Sequence, residues 1–355
     1  MTPQERDFWV RRMGARRAWW ERHQEDIIAT GCEVIDAHFH LWEAQELPDP
    51  LGKGNRLRTS RYMLEEFLQD AHSGHDVSAC IYVECGSGRL TKGPEHLRST
   101  EETQFAVSMT RQLAQITASP QIKAIVGHAD LRHPDLEDVL DLHRAKGAGL
   151  FRGIRQSIAR LDDPAERLIA GAAAPGLSSD PDFRRGVALL GEHGLTFDAF
   201  QFHFQLPDLV NLAREASGTT IIINHLGGPV GFARNRTVDE ATFASWAHSI
   251  ERLAELPNVT IKLGGMASIV TGYDGHLRET PPSSSDFVAE RGAWFHHAIK
   301  CFGPERCMFG TNFPVDSTSI SYRVLWNAFK MIAAEYGTAG RKALLSETAR
   351  SIYRL

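Results

Sequence analysis

Short apolar runs recur along the chain, and a segment with apolar residues at helical spacing follows nearly every one. Such short runs, rich in Val, Ile and Phe, predict buried strands, whereas repeats at i, i+3 and i+4 predict amphipathic helices. The predicted strands are Glu33–His38, Ala79–Glu84, Ile122–Ala129, Phe151–Gln156, Leu195–Phe200, Thr219–His225, Val259–Leu263 and Cys307–Gly310. The predicted helices between them are Tyr62–Ala71, Thr100–Thr117, Pro134–Ala145, Pro181–His193, Leu206–Ala216, Asp239–Leu256 and Asp286–Phe302.

This alternation of strands and helices is typical of the α/β class and predicts a closed parallel (β/α)8 TIM barrel. Catalytic groups of such barrels lie at the C-terminal ends of the strands. A doubly wound open sheet is the alternative. The 355 residues exceed the usual size of a single-core domain, but α/β barrels of this length occur as one domain.

The chain has extensions at both ends of this repeat. Residues Pro3–Ile28 predict an amphipathic N-terminal helix whose tryptophans, Trp19 and Trp20 among them, pack on the barrel or on another copy of the chain. We therefore expect an N-terminal helical extension over residues 1–31, a barrel domain over residues 32–355, and a possible homo-oligomer formed through the first helix. The predicted C-terminal helices are Tyr322–Tyr336 and Arg341–Tyr353.

Two long loops follow predicted strands, at Trp42–Ser60 and Ala267–Ser285. Loops of that length at this end of a barrel usually cover an active site, although they can also be disordered decoration. Neither loop carries a recognisable binding motif, so the sequence does not choose the substrate.

Composition points to a protein that acts on small molecules. A hydrophobic content of 42%, a charged content of 23% and a net charge of -5 are ordinary for a globular protein and give no basic surface for nucleic acid. The five cysteines lack CxxC spacing, which fits a reducing cytoplasm. Because no apolar signal segment and no stretch long enough to span a membrane is visible, we expect a cytoplasmic protein with no membrane partner.

The strongest chemical signal is the pair His38 and His40 at the end of the first predicted strand, in the run Val34–His40. Residues two apart on a strand project to the same side, so the two imidazoles converge on one point. Such a pair is a typical half-site for a divalent transition metal, although a surface histidine pair is the alternative. His203, after the fifth strand, is the best third ligand, because three imidazoles and a water form a known catalytic set for Zn²⁺.

Most of the other predicted strands also end in polar residues. His225 precedes a glycine turn and is a candidate acid or base that faces the substrate, whereas a core histidine is the alternative. Glu84 is a candidate base or metal ligand, or else a structural partner of an arginine. Arg155 and, less directly, Arg152 suit a substrate carboxylate, because a guanidinium presents a planar fork of donors. The remaining candidates for substrate binding are His128, Gln205 and Lys262. For His128 and Lys262 a structural role is an equally simple explanation.

Five motifs together resemble the amidohydrolase superfamily, in the branch of TIM-barrel metal-dependent hydrolases related to sugar lactonases and pyrone dicarboxylate lactonase. The motifs are Ile35–Trp42 (IDAHFHLW), Phe151–Arg155 (FRGIR), His203–Pro207 (HFQLP), Asn224–Pro229 (NHLGGP) and Met308–Pro314 (MFGTNFP), within a resemblance that covers Cys32–Leu355. The resemblance implies that water attacks an ester or lactone carbonyl beside a metal held by His38, His40 and His203, with arginines holding a substrate carboxylate.

The chain departs from the pattern of this family at Asn312, where the family usually carries an aspartate that binds the metal or activates the water. An amide cannot accept a proton as a carboxylate does, so the base must come from another residue. The candidates are Asp316, Glu84 and His225. The same change removes negative charge from the metal site, so metal-free catalysis is the alternative to a Zn²⁺ enzyme.

Three functions are therefore compatible with the sequence. The first is hydrolysis of a lactone or related cyclic ester that bears a carboxylate or hydroxyl groups. The second is decarboxylation of an aromatic acid, which neighbouring branches of the superfamily carry out on the same barrel. The third is binding of a small molecule without catalysis, in a barrel that lost its aspartate.

Overall fold

Eight parallel strands form one sheet in the computed structural model, which describes residues 16–44, 60–90, 92–161, 173–231 and 240–355. The strands are β1 (Glu33–Phe39), β2 (Asp76–Val83), β3 (Gln121–Gly127), β4 (Phe151–Ser157), β5 (Thr196–Phe200), β6 (Ile221–Ile223), β7 (Val259–Leu263) and β8 (Cys307–Phe309). Each strand pairs with the next one along the chain, and every pair is parallel.

The sheet closes on itself just beyond the ends of β1 and β8. The Asn312 N–H donates to the His38 carbonyl and the His40 N–H donates to the Phe313 carbonyl, both at 2.8 Å. The side chain of Asp36, which is fully buried, reinforces this closure by accepting from the Thr311 N–H at 2.9 Å and from the Thr311 hydroxyl at 2.6 Å. The prediction of a TIM barrel is confirmed, and the open doubly wound sheet is wrong.

Helices cover the outside of the barrel. They are α1 (Arg16–Trp20), α2 (Leu64–Ala71), α3 (Thr100–Leu113), α4 (Leu136–Lys146), α5 (Pro181–Glu192), α6 (Leu206–Glu215), α7 (Glu240–Ala254), α8 (Ser284–Phe302), α9 (Tyr322–Ala334), α10 (Gly337–Lys342) and α11 (Thr348–Tyr353), with one π-helical turn at Ala343–Glu347. The predicted helices lie where α2 to α9 are observed, within a few residues at each end. No helix in the described part of the chain is long and apolar enough to span a membrane.

The observed N-terminal helix is shorter than the sequence pattern predicts: α1 ends at Trp20 instead of Ile28. The segment after it is held by side chains of α9: the Ile28 N–H donates to Asn327 Oδ1 at 3.1 Å, and Asn327 Nδ2 donates to the Asp26 carbonyl at 2.9 Å. These bonds replace the helical ones. Residues 1–15 of this prediction, and residues 45–59 of the long loop after β1, lie outside the described residues.

Both tryptophans of α1 pack on the same chain. Trp19 and Trp20 are 4% and 8% exposed, and Trp19 Nε1 donates to the carbonyls of Arg278 and Glu279. Of the two partners predicted for this helix, these contacts favour the barrel. The oligomer stays a prediction, as does the boundary between an extension and a barrel domain.

The barrel interior is packed with aliphatic side chains from alternate positions of the strands. Ile35, Ile81, Val126 and Met308 are at most 1% exposed and belong to one apolar cluster. Tyr353 of α11 joins this cluster from the N-terminal end of the barrel. This packing leaves the C-terminal end of the barrel for polar chemistry.

A buried histidine below the pocket should make the fold sensitive to acid. His143 accepts from the Thr103 hydroxyl through Nδ1 at 2.8 Å and donates from Nε2 to the His128 carbonyl at 3.0 Å. Burial lowers the pKa of His143 to about 4, so the unfolded chain, with an ordinary histidine pKa, binds one more proton between those two values. Its contribution to stability is therefore present above pH 6.5 and is lost as the pH falls toward 4.

We expect His143→Gln, which keeps one donor and one acceptor, to reduce this acid sensitivity. Between pH 6.5 and pH 5 the wild-type protein should lose about 2 kcal/mol more unfolding free energy than the variant. Urea unfolding at the two pH values measures the difference. Equal losses in the two proteins would contradict this assignment of the pKa of His143.

Candidate active site

A pocket opens at the C-terminal end of the barrel, with a cavity volume of about 360 Å³, within the range of small-molecule sites. Its walls come from the ends of several strands and from the loops that follow them. The polar side chains that line it include His40, Glu84, Arg89, His128, Arg155, His225 and Asn312. The aromatic side chains of Trp42, Phe200 and Phe202 form part of the remaining wall.

His38 and His40 both lie at this end of β1, with ring centroids 4.9 Å apart. His40 Nδ1 donates to the Val83 carbonyl at 2.8 Å, which leaves Nε2 as an unprotonated acceptor. Burial, followed by the charge of Arg155, lowers the pKa of His40 to about 3. His38 is 1% exposed, and burial and then Lys262 hold its pKa well below the usual range. Both imidazoles are therefore neutral at neutral pH.

His225 follows β6, and its ring packs against His38 with centroids 4.5 Å apart and edge-on to Phe200 at 5.4 Å. Its backbone has φ of +53°, in the left-handed region that few residues other than glycine adopt. Such strain is typical of residues held in place for a function. Burial first, and then the charges of Arg155, His40 and Lys262, keep its pKa far below the ordinary value.

Gly265 allows His225 to occupy this position. A Cβ atom at residue 265 would lie 2.6 Å from His225 Cβ and 2.7 Å from His225 Nδ1, closer than real contacts allow, and φ of Gly265 is +73°. We expect Gly265→Ala to displace the imidazole of this candidate acid or base and to lower kcat/KM by about a hundredfold, as a displacement near 1 Å does in active sites.

Gly218→Ala is the matched control, because no atom lies within 4 Å of a Cβ built there. Steady-state kinetics of the two variants measure the difference. Equal activities would show that the position of His225 does not matter for turnover.

Arg155 is held rigidly beside the imidazoles by Glu84. Arg155 Nε donates to Glu84 Oε1 at 2.8 Å, and Nη2 donates to the Glu84 carbonyl. Nη1 lies 3.3 Å from His38 Nε2, so this edge of the guanidinium points to the histidine cluster, which consists of His38, His40 and His225. Arg89 binds the other side of Glu84, at 2.5 Å from Oε2, and also donates to Glu102 at 3.0 Å. This network positions a permanent positive charge in the wall of the pocket.

The arginines make Glu84 a poor proton acceptor. Burial alone would raise its pKa, but the guanidinium groups of Arg155 and Arg89 lower it to about 2. Glu84 thus stays ionised and acts on the site by holding the arginines. His128, in the same wall, donates from Nδ1 to the Arg155 carbonyl at 3.0 Å.

Asp316 lies behind Asn312 and does not line the pocket. Its Oδ1 accepts from Asn312 Nδ2 at 2.8 Å and its Oδ2 accepts from the Ala267 N–H at 3.0 Å. The side chain is fully buried, and burial raises its pKa to about 7. These bonds fix the orientation of the Asn312 amide, which turns its oxygen away from Asp316. Asp316 thus contacts Asn312 and the backbone, and its role as the base stays a prediction.

Lys262, a candidate for substrate binding, lies beside His38 and outside the pocket lining. It is 1% exposed, its Nζ donates to Asp198 Oδ2 at 2.6 Å, and it lies 3.5 Å from His38 Nδ1. Asp198 is fully buried and also accepts from the Tyr353 hydroxyl at 3.1 and 3.0 Å. A buried ion pair therefore separates the histidine cluster from the apolar interior of the barrel.

Three further candidates from the sequence have side chains outside the pocket lining. His203 accepts from the Val230 N–H through Nδ1 at 3.2 Å and packs edge-on against Phe204. Gln205 uses its amide on backbone groups, accepting from Arg160 at 3.0 Å and donating to Ile158 at 2.7 Å. Arg152 lies at the N-terminal end of β4 and donates to the Tyr353 carbonyl at 2.7 Å.

Comparison with known proteins agrees with this architecture. The amidohydrolase family profile matches residues 35–355. The chain belongs to the amidohydrolase family. A protein from Sinorhizobium fredii named y4mH, without a described function, is 31% identical over 91% of this chain and 98% of its own.

Two further relatives carry more chemical information. An L-fucono-1,5-lactonase from Burkholderia multivorans is 28% identical over 92% of this chain and 97% of its own. A crystal structure of an amidohydrolase from Burkholderia multivorans with bound zinc has a TM-score of 0.70 and 26% identity, and it covers 91% of this chain and 99% of its own. The resemblance read from the motifs is thus confirmed at the level of the family.

Amidohydrolases generally use a divalent metal, and the residues of this amidohydrolase fit one in part. His40 fits, because its Nδ1–H is held by a carbonyl and its Nε2 is unprotonated, as is usual for a metal-ligating imidazole. His38 is neutral and adjacent, but Arg155 faces its Nε2. Among the described residues, no third His, Cys, Asp or Glu atom joins these two rings in a group within 4.8 Å. The pair is therefore a half-site, and the predicted third ligand, His203, does not complete it.

Sequence reasoning missed two functional features of the amidohydrolase pocket. Arg89, in the loop after β2, is the second partner of Glu84; a basic residue five positions after a strand-end carboxylate was the available signal. The pairing of Lys262 with Asp198 had no sequence signal, because 64 residues separate the two. Both features depend on contacts between different strands or loops.

Proposed function

We propose that this amidohydrolase opens the ring of a small lactone that bears a carboxylate or hydroxyl groups, by attack of water on the ester carbonyl. The observation that carries the proposal is the placement of neutral His40 and His225 beside the cationic Arg155 in one pocket. Neutral imidazoles accept protons, and a fixed guanidinium stabilises the oxyanion that forms on the carbonyl. The name of the L-fucono-1,5-lactonase relative supports a hydroxylated lactone as the substrate class.

Arg155 orients the substrate in this proposal. Its Nε and Nη2 are engaged by Glu84, so Nη1 is the donor that faces the histidine cluster. A carbonyl or carboxylate oxygen of the substrate binds to Nη1. The attraction between the guanidinium and this oxygen becomes stronger as negative charge develops on the oxyanion. Because Glu84 and Arg89 hold the group in place, little reorganisation is needed during the reaction.

The attacking water lies between acceptors on the opposite side of the substrate. The oxygen of the Asn312 amide accepts one hydrogen bond from it, and His225 accepts the other. His225 removes that proton as the water attacks and passes it to the ring oxygen as the C–O bond of the ester breaks. The low pKa of His225 keeps the ring unprotonated and ready to accept. Negative charge on the oxyanion, and then on the product carboxylate, offsets the field of Arg155 that otherwise opposes protonation.

A divalent cation, with Zn²⁺ as the predicted ion, would be held by His38 and His40, and such an ion lowers the pKa of a bound water and polarises a carbonyl. Metal analysis of protein purified without chelator tests this part. We expect the metal at this site to be lost in His40→Ala. Activity that survives complete chelation would show that the residues described above suffice for hydrolysis without a metal ion.

A panel of sugar lactones and carboxylated lactones, assayed by the acid released on ring opening, tests the function. We expect turnover of at least one hydroxylated lactone by the wild-type protein, with and without added Zn²⁺. Release of carbon dioxide from aromatic acids, without uptake of water, would overturn hydrolysis in favour of decarboxylation. Saturable binding of lactones without turnover would instead identify a non-catalytic binding protein. Its cytoplasmic location stays a prediction.

A further inference from the structure

We propose that Glu251, His297 and Cys301 form a second metal site, on the outer helices of the barrel, that takes Zn²⁺ or another divalent cation with affinity for sulfur and nitrogen. Glu251 lies on α7, and the other two residues lie on α8. One ligand atom of each residue lies within 4.8 Å of the other two. This site is separate from the pocket and does not depend on the function proposed above.

The distances between the ligand atoms match those around a tetrahedral zinc ion. Typical Zn–S and Zn–N bonds with tetrahedral angles place sulfur and nitrogen about 3.5 Å apart, and nitrogen and oxygen about 3.4 Å apart. Cys301 Sγ lies 3.5 Å from His297 Nε2, and Glu251 Oε1 lies 3.7 Å from the same nitrogen. An ion can therefore enter with small side-chain movements, and water can complete the fourth position.

The two ligands on α8 are also arranged before an ion binds. His297 and Cys301 are four residues apart on α8, so they lie on the same face of the helix. The imidazole of His297 packs against Trp246 at 5.4 Å and Phe243 at 5.8 Å between ring centroids. The mixture of thiol, imidazole and carboxylate favours zinc over magnesium or calcium, which bind oxygen ligands.

The position of the site suggests a structural role. Glu251 and Cys301 lie in the last turns of α7 and α8, and the helices of a TIM barrel run antiparallel to its strands. The site therefore lies at the end of the barrel opposite the pocket, the end associated with stability. A cation there is favoured by the C-terminal ends of both helices and would join them.

The second His and Asp group in the described residues, His96, His133 and Asp135, lacks this geometry. The rings of His96 and His133 are stacked, with centroids 4.2 Å apart and planes within 15°. Ring nitrogens bind metals in the plane of the ring, so stacked rings direct their lone pairs side by side. His133 Nδ1 also accepts from the Asp135 N–H at 3.1 Å. The group of His96, His133 and Asp135 is therefore not arranged to hold one metal ion.

Titration of the full-length protein with Co²⁺ tests the site, because a thiolate ligand gives cobalt a charge-transfer band in the near ultraviolet that imidazole and carboxylate ligands do not. We expect one equivalent of Co²⁺ to produce this band and Zn²⁺ to displace it. Cys301→Ser should abolish the band, and His297→Ala should weaken Co²⁺ binding about a hundredfold or more, at least the cost known for losing an outer contact of a metal ligand.

The controls separate this site from the pocket. Cys85→Ser removes the thiol that lines the pocket, and His248→Ala removes an exposed histidine on α7; both should keep the band. Thermal unfolding without metal checks that all variants fold. A band that is absent from the wild-type protein, that survives Cys301→Ser, or that is lost in Cys85→Ser would overturn the proposal.

Discussion

Replacing His225 by glutamine is expected to lower kcat/KM for lactone hydrolysis by about a thousandfold, within the usual range for a general base. The imidazole is held against His38 and Phe200, with strained backbone and no Cβ at residue 265 to displace it. Glutamine keeps hydrogen-bonding groups but cannot accept a proton. Of the other two candidate bases, Glu84 is paired with two arginines and Asp316 lies behind Asn312, so neither replaces the lost imidazole.

His203→Gln is the matched control for this variant. It makes the same chemical change at a histidine that binds the Val230 N–H and does not line the pocket. We expect its kcat/KM to stay within about twofold of wild type, which corresponds to less than half a kcal/mol in the barrier. Steady-state kinetics with a substrate from the lactone panel measures both. A loss below tenfold in His225→Gln would exclude His225 as the base.

Replacing Lys262 by methionine is expected to destabilise the fold by about 3–5 kcal/mol, the usual cost of removing one partner of a buried ion pair. The two side chains are 1% and 0% exposed, so water cannot solvate the carboxylate of Asp198 after the lysine is lost. The Tyr353 hydroxyl and Asn224 still donate to Asp198, but neither carries a charge. Urea unfolding at neutral pH measures the loss.

Two further variants show whether burial causes this effect. Arg350→Met removes a partner from an exposed ion pair with Glu33, whose side chains are 45% and 41% exposed, and should cost about 1 kcal/mol or less. The double variant Lys262→Met/Asp198→Asn removes the unpaired charge and should recover part of the stability. Equal losses in the Lys262 and Arg350 variants would contradict the argument.

The fold could be predicted almost completely from the sequence, because the spacing of apolar residues that predicts each strand or helix lies within one short segment. A strand such as Ile221–Ile223 shows itself by consecutive β-branched residues, and α8 shows itself by apolar spacing over nineteen residues. The exceptions are segments whose backbone is held by distant side chains. The chain after Trp20 is one, since Asn327 competes for its backbone groups.

The candidate site could be predicted in part. His40, Arg155, His225 and Asn312 line one pocket because parallel strands place their C-terminal ends on the same rim of the barrel. Arg152 lies at the N-terminal end of β4, three residues before Arg155 and away from the pocket. An odd separation places two strand residues on opposite faces, and that rule could have separated the two arginines.

The sequence by itself determined the order of strands and helices, the family, and the rim on which the pocket lies, because these follow from short-range periodicity and the direction of the chain. Only the tertiary structure decided how the charges are paired and where the side chains point. Glu84 binds Arg155, and Lys262 binds Asp198, across 71 and 64 residues of sequence. Such pairings depend on three-dimensional distance and burial, for which spacing along a chain carries no signal.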